Sequence, residues 1–272
     1  MRSEPSDQNL NTSAKPKSNM LTWLLAGGCG CFALLSCVTC GGVGSWWYLH
    51  KQSATPMEGA WEYARGPIAA NLRGVKVVVG NQLIASIIDR GNNKPVILNG
   101  ATFTLEGSSY KENIEFCTPG MQQVLLGKQQ SFTARFSADH VDVIGTLSNG
   151  NPIDEGWKRI GTPAGQAHEG AWELVKSTLN PNWRAVKLMT GGHFVVAIYD
   201  RQRKTTLVIR GGNYTVKDKT LVENPEYHDG GPQDVLGQQL TYEVRHDDDE
   251  MTVTRVVMPD NQRVSETWKR IK

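Results

Sequence analysis

Two pairs of glutamates are the residues of this chain best placed to do chemistry: Glu112 with Glu115, and Glu223 with Glu226. Two carboxylates can divide acid and base roles when their surroundings push their pKa values apart. In a β-strand, however, residues three apart point to opposite faces. Each pair is therefore expected to split, one member meeting solvent and the other a basic residue. His193 follows Gly191-Gly192 at an expected hairpin tip, where a histidine is solvated, and His228-Asp229-Gly230-Gly231 reads as a loop. Neither histidine has a partner at metal-ligand spacing, so no metal and no cofactor is expected. Asp247 to Glu250 is a run of four acids that reads as a solvated turn. There is no serine elbow, Cys/His nucleophile, P-loop or dinucleotide fingerprint. No residue is assigned a catalytic role, and the chain is not expected to be an enzyme.

The elements that hold these glutamates come as a repeat. Glu58-Gly59-Ala60-Trp61-Glu62 returns as Glu169-Gly170-Ala171-Trp172-Glu173, and Trp157-Lys158-Arg159-Ile160 returns as Trp268-Lys269-Arg270-Ile271. An offset of 111 aligns the first halves without a gap: Val75-Lys76 meets Val186-Lys187, Phe103 meets Tyr214, and Glu112 to Phe116 meets Glu223 to Tyr227. One deletion then brings Phe132 onto Tyr242, and a compensating insertion restores the offset before the final tryptophans. Repeats of this kind decide the domain organisation. The boundaries expected are a polar tail over 1–19, an apolar segment over 20–49, a linker over 50–56, one copy over 57–160, a linker over 161–167 and a second copy over 168–272.

Within each copy the apolar pattern is that of strands. Gln82 to Ile88 and His193 to Tyr199 are continuous apolar runs, Phe132 to Phe136 alternates, and Gly-Gly or Asn-Gly pairs mark turns. No window shows a convincing amphipathic helix. The fold class expected is all-β, with two tandem antiparallel barrels of about eight strands each after one N-terminal transmembrane helix.

The 29 basic residues nearly balance the 27 acidic ones, which excludes a strong nucleic-acid footprint. Residues 20–49 carry no charge and exceed the ~20 residues a membrane span needs. Lys15 and Lys17 precede the segment, and Trp46, Trp47 and Tyr48 crowd its exit. By the positive-inside and aromatic-belt rules this is a single-pass anchor, its N-terminus cytoplasmic and its two copies extracytoplasmic. The alternative is a lipoprotein acylated at Cys37, since Leu34-Leu35-Ser36-Cys37 loosely fits a lipobox. Four of the five cysteines fall in this segment. A ridge of small residues (Ala33, Cys37, Gly41, Ser45) is a candidate homodimer contact. Cys117 is the one cysteine outside the segment, and its counterpart in the second copy is His228. No disulfide between the copies follows.

Gly-x-Trp near the start of each copy and Arg near its end resemble the lipocalin or calycin signature. That resemblance implies that the tryptophan lies across a barrel floor under the arginine. The barrel-closing residues would be Gly59, Trp61 and Arg159 in the first copy, and Gly170, Trp172 and Arg270 in the second. The second copy also resembles a short lipocalin-like domain of uncharacterised bacterial membrane or secreted proteins. It does so through Gly170 to Leu174, Lys187 to Phe194, Gly211 to Thr215, Glu223 to Tyr227 and Trp268 to Arg270. The resemblance implies a membrane-anchored binding protein that holds a small apolar or amphipathic ligand inside its barrels. The candidate ligand-binding residues are Glu115, Tyr199, Tyr214, Glu226 and Tyr227. A second expectation is a structural or adaptor protein of the cell envelope with side-chain-filled barrels. The third is a hydrolase or isomerase that uses the barrel glutamates.

Overall fold

The computed structural model describes residues 55–176, 180–231, 235–257 and 262–272. The segment over 20–49, with Cys37 and the small-residue ridge, lies outside the described residues. Among the described residues no helix is long and apolar enough to cross a membrane.

Sixteen strands make up the described protein. The first eight are β1 (Gly59–Arg65), β2 (Leu72–Val79), β3 (Gln82–Asp89), β4 (Lys94–Glu106), β5 (Ser109–Cys117), β6 (Gln129–Phe136), β7 (His140–Thr146) and β8 (Pro152–Gly161). The second eight are β9 (Gly170–Lys176), β10 (Trp183–Thr190), β11 (His193–Asp200), β12 (Thr205–Lys217), β13 (Thr220–Asp229), β14 (Leu240–Asp247), β15 (Glu250–Val257) and β16 (Gln262–Arg270). A four-residue helix, α1 (Gln122–Leu125), interrupts the strand pattern between β5 and β6. Strands β9 to β16 are antiparallel to one another, the pairings of β9 with β16 and β11 with β12 close them into an eight-stranded barrel, and β12 also makes one parallel bridge to β5 at Thr205 and Cys117. Strands β1 to β8 pair in the matching order, with β1 beside β8 and β5 beside β6.

Each copy is pinned at one end by its tryptophan and arginine. The Arg159 guanidinium lies 4.0 Å from the centre of the Trp61 ring, and Arg270 lies 4.2 Å from that of Trp172. Both indoles are fully buried. Each donates its N–H to a carbonyl four residues upstream: Trp61 to Met57 at 2.8 Å, Trp172 to His168 at 3.1 Å. The arginines tie down the incoming chain, Arg270 donating to the carbonyls of Glu169 and Ala167, both at 2.9 Å. Gly59, at φ +131°, has no room for a side chain: a Cβ there would sit 2.6 Å from the Gly161 carbonyl oxygen.

Three apolar clusters form the core. One fills the inside of β1–β8 and one the inside of β9–β16. The third lies between the two copies and is built from the outer faces of β2 to β5 and β10 to β13. Its members pair at the repeat offset: Val75 with Val186, Val77 with Leu188, Ile84 with Val195, Ile88 with Tyr199, Leu98 with Ile209, and Phe116 with Tyr227. The same patch on each copy meets its own equivalent, the isologous geometry of a two-fold dimer made within one chain. This burial on both faces explains why Gln82 to Ile88 and His193 to Tyr199 read as unbroken apolar runs.

Candidate functional site

Strand phase decides which polar residues reach the interior. On β5 and β13, Glu112 and Glu223 turn inward, whereas Glu115 and Glu226 turn outward. A bulge follows immediately. Gly100 pairs with Phe116 and Ala101 with Ile114, leaving Glu115 as the extra residue; Gly211 pairs with Tyr227 and Gly212 with Pro225, leaving Glu226 extra. A bulge re-aims the side chains beyond it. Phe116 and Tyr227 consequently lie on the outer face, each ring against the glycine of the neighbouring strand, where a Cβ would come within 2.1 to 2.3 Å of ring atoms.

Four of the five residues grouped by sequence as barrel-lining candidates therefore sit between the copies. Tyr199 stacks on Phe116 with ring centres 4.1 Å apart. Tyr227 is buried in the same cluster. Glu226 accepts from Arg73 at 2.7 Å, and Glu115 accepts from Arg184 at 3.3 Å. Each arginine also holds a glutamate of its own copy, Arg73 with Glu62 at 2.7 Å and Arg184 with Glu173 at 3.0 Å. Of the five, Tyr214 alone faces a barrel interior. The two histidines also depart from their expected settings. His193 is half-buried beside Ile160 rather than solvated, and burial lowers its pKa. His228 is not in a loop: it is buried in β13, and its backbone N–H donates to the Asn93 carbonyl at 3.2 Å.

Inside, a polar group occurs at equivalent positions of both copies: Lys76, Glu112, Glu155 and Trp157 in the first, Lys187, Glu223, Glu266 and Trp268 in the second. Lys76 lies 3.8 Å from Glu112 and 4.4 Å from the Trp157 ring centre. Lys187 donates to Glu223, which is fully buried, and lies 5.5 Å from the Trp268 ring centre. Each tryptophan N–H donates to the glutamate two residues before it at 3.1 Å. Burial raises the pKa of Glu155 and of Glu266, against the pull of the lysines. Burial also works to raise that of Glu223, but Lys187 and then Arg210 outweigh it and hold this carboxyl below its ordinary value. The signal for this group was present in the sequence as a lysine repeated within an apolar run and as Glu-x-Trp repeated before each C-terminus. Its meaning required knowing which strand face is internal.

The copies differ around that shared group. In the first, the Tyr110 hydroxyl donates to Glu112, and Gln130 is buried nearby on β6. In the second, the matching residues are Leu221 and Leu240, and the additions are Arg210, Tyr242 and Arg255 where the first has Asn99, Phe132 and Gly145. Arg210 donates to Glu223 at 3.0 Å.

A second difference lies at the Trp172 end. Gln166, Ala167, His168, Val216, Asp218, Lys219, Val244, Arg245 and His246 line an open pocket of about 550 Å³. The His168 ring packs edge-on to Tyr214 at 5.3 Å and lies 6.4 Å from that of His246. Burial lowers the pKa of both histidines, and the nearby His168 charge adds to the effect on His246. The first copy has Met57, Phe103 and Phe136 at the positions of His168, Tyr214 and His246, an apolar corner in which Met57 is fully buried. Among the described residues no cluster of three or more His, Cys, Asp or Glu could hold a metal ion. Cys117 is a buried free thiol whose pKa burial raises.

These features define an all-β protein with an eight-stranded antiparallel barrel of the general lipocalin-like kind. Residues 167–272, the second copy, match a family described as a domain of unknown function (DUF4488). No curated protein and no solved structure matches the chain.

Proposed function

We propose that this is a non-enzymatic binding protein of the cell envelope, in which two tandem lipocalin-like barrels are carried outside the membrane by a span over residues 20–49. The second barrel is the ligand-holding unit and the first is its rigid brace. The pocket beside Trp172 carries this reading. Its volume lies within the ~300–1,000 Å³ of small-molecule sites. Its walls combine apolar Val216 and Val244 with Lys219, with Asp218 and with Arg245, which also pairs with Glu243, a mixed lining that suits a small amphipathic ligand. The equivalent corner of the first copy is filled by Met57 and phenylalanines. The ion pairs that hold Glu223 and Glu226 favour binding over acid–base catalysis, because both carboxylates are already engaged by cations.

Native mass spectrometry of the full-length chain released from detergent tests the proposal. The expected result is a co-purified small mass that is lost when Lys219 and Arg245 are both replaced by Ala. A bare chain, together with no thermal shift from a panel of small amphipaths, would leave the adaptor reading. The fully buried Trp172, Phe194, Leu221 and Met251, which occupy the barrel interior, favour that second reading.

A further inference from the structure

The tryptophan-pinned ends of the two barrels share one side of the molecule. The chain leaves the first barrel at Gly161, which pairs with Ala60, and enters the second at Gly170, which pairs with Met189. Gly161 packs against the β10–β11 turn at the Trp172 end, where a Cβ on it would stand 2.3 Å from the Gly191 carbonyl oxygen. At the opposite ends β5 and β12 run parallel, with Cys117 beside Thr205. The two barrels therefore point the same way.

The chain also arrives on that side. The carbonyls of Pro56 and Met57 accept from Arg159 and Trp61, which fixes the entry at the pinned end of the first barrel. The step from Leu49, the last residue of the proposed span, to Thr55 reaches at most ~20 Å. A barrel held this close to a bilayer by its pinned end carries its neighbour's pinned end to the same surface. The pocket beside Trp172 opens there: His168 precedes β9, Asp218 and Lys219 form the β12–β13 turn, and His246 lies next to the β14–β15 turn. Its charges are of both signs. Arg245 is paired with Glu243. His168 and His246, whose pKa values burial lowers, add no charge at neutral pH. Asp218 and Lys219 both line the pocket, and among the described residues neither is in an ion pair. An anion beside a cation complements a group that itself carries both signs, whereas a cluster of cations alone selects anionic lipid.

We infer that the pocket beside Trp172 faces the bilayer and seats the zwitterionic headgroup of a membrane phospholipid, with Lys219 toward its phosphate and Asp218 toward its ammonium. Val216 and Val244 supply the apolar wall beside these charges. The inference rests on the proposed span and pocket; it adds what the pocket holds, where that ligand comes from and which way the second barrel faces. The seat lies outside the filled barrel interior.

The test is photocrosslinking of the full-length protein in phosphatidylcholine nanodiscs. They carry a small fraction of a phosphatidylcholine analogue with a diazirine on one N-alkyl group of its choline, which keeps both headgroup charges. Adducts are expected on the peptides that contain Asp218, Lys219 and His246, and on the Gly80–Asn81 turn at the pinned end of the first barrel. None is expected on the turns at the opposite ends, Arg90 to Asn93 and Arg201 to Lys204. The double variant Asp218→Asn, Lys219→Ala should lower the pocket adducts several-fold and leave those at Gly80–Asn81 unchanged. Both residues are exposed, and Asn tolerates the φ of +55° at position 218, so the variant keeps the fold. Excess glycerophosphocholine should compete for the pocket adducts, and inorganic phosphate at the same ionic strength should not. Adducts on the opposite turns overturn the orientation. Pocket adducts that survive the double variant, or equal competition by phosphate, overturn the zwitterionic seat. No adduct at the pocket, with a co-purified mass still found by native mass spectrometry, overturns this inference alone; the loss of both overturns the proposed function with it.

Discussion

Arg73 of the first copy donates to Glu226 of the second at 2.7 Å, and the equivalent pair with the copies exchanged, Arg184 with Glu115, also meets. The two contacts flank an apolar cluster whose members pair at the same offset. The two halves of the described chain thus meet through equivalent faces. The backbone obeys the same relation: the Cys117 N–H donates to the Lys204 carbonyl at 3.1 Å, and the His228 N–H to the Asn93 carbonyl at 3.2 Å.

The docking face should make the two copies melt together. Phe116→Ala removes the ring stacked on Tyr199, a contact worth ~0.5–1.5 kcal/mol beyond its burial. Combined with Arg73→Ala it should split one calorimetric transition into two. A single sharp transition retained in the double variant would show that the copies are not coupled through this face.

Trp172→Ala should destabilise the second copy by about 3–5 kcal/mol, through loss of a fully buried ring. Arg270→Ala should cost less, since the cation–π contact contributes ~0.5–2 kcal/mol and the displaced carbonyls of Glu169 and Ala167 can turn to water. Chemical denaturation measures both. An Arg270→Ala loss equal to that of Trp172→Ala would contradict this ranking.

Glu223→Gln leaves Lys187 and Arg210 buried without their counter-charge, and breaking such a group costs ~3–5 kcal/mol. The pH dependence has a defined sign. The carboxyl is held below its ordinary value in the folded protein, so its contribution is complete above the unfolded pKa of 4.5 and is lost as pH falls through the lower folded value. Stability curves between pH 7 and 3 should therefore be steeper for the native protein than for Glu223→Gln. Parallel curves would argue against an ionised Glu223.

His168 and His246 give the opposite residue type the same direction of pH response. Their folded pKa values lie below the ordinary 6.5, so the unfolded chain takes up protons first as pH falls. Stability should decline below about pH 6.5. The double variant His168→Met, His246→Phe should flatten that decline, leaving the share due to His193. Melting temperatures taken at half-unit pH steps provide the comparison, and an unchanged slope in the variant would remove these histidines from the account.

Strand-built copies and their turns are local or repeated features that the chain declares openly, and the tryptophan–arginine pairings were implied by the resemblance to the lipocalin signature. Asp247 to Glu250 behaves as its composition demands: Asp248 takes φ +48° at the β14–β15 turn, and Asp249 pairs with Lys272 at 2.5 Å. The glutamates were legible up to their phase, because period-2 alternation correctly separates Glu112 from Glu115 and Glu223 from Glu226. Beyond that point the reading fails at one residue. The bulges at Glu115 and Glu226 shift the phase, so Phe116 and Tyr227 leave the interior that simple alternation gives them. Nothing in their own residue types announces a bulge.

By itself the sequence determined the internal repeat and the all-β character, while the tryptophan–arginine pairs came from the resemblance to the lipocalin signature. The repeat and the strands depend on periodicity and turn chemistry, which are written along the chain. The tertiary structure alone decided which apolar faces are internal and which meet the other copy, since an outer face buried by docking has the same composition as a core face. It also decided the electrostatics. Lys187, Arg210, Glu223 and Glu266 lie far apart along the chain, and whether each is paired or neutral depends on a barrel closing around them and excluding water.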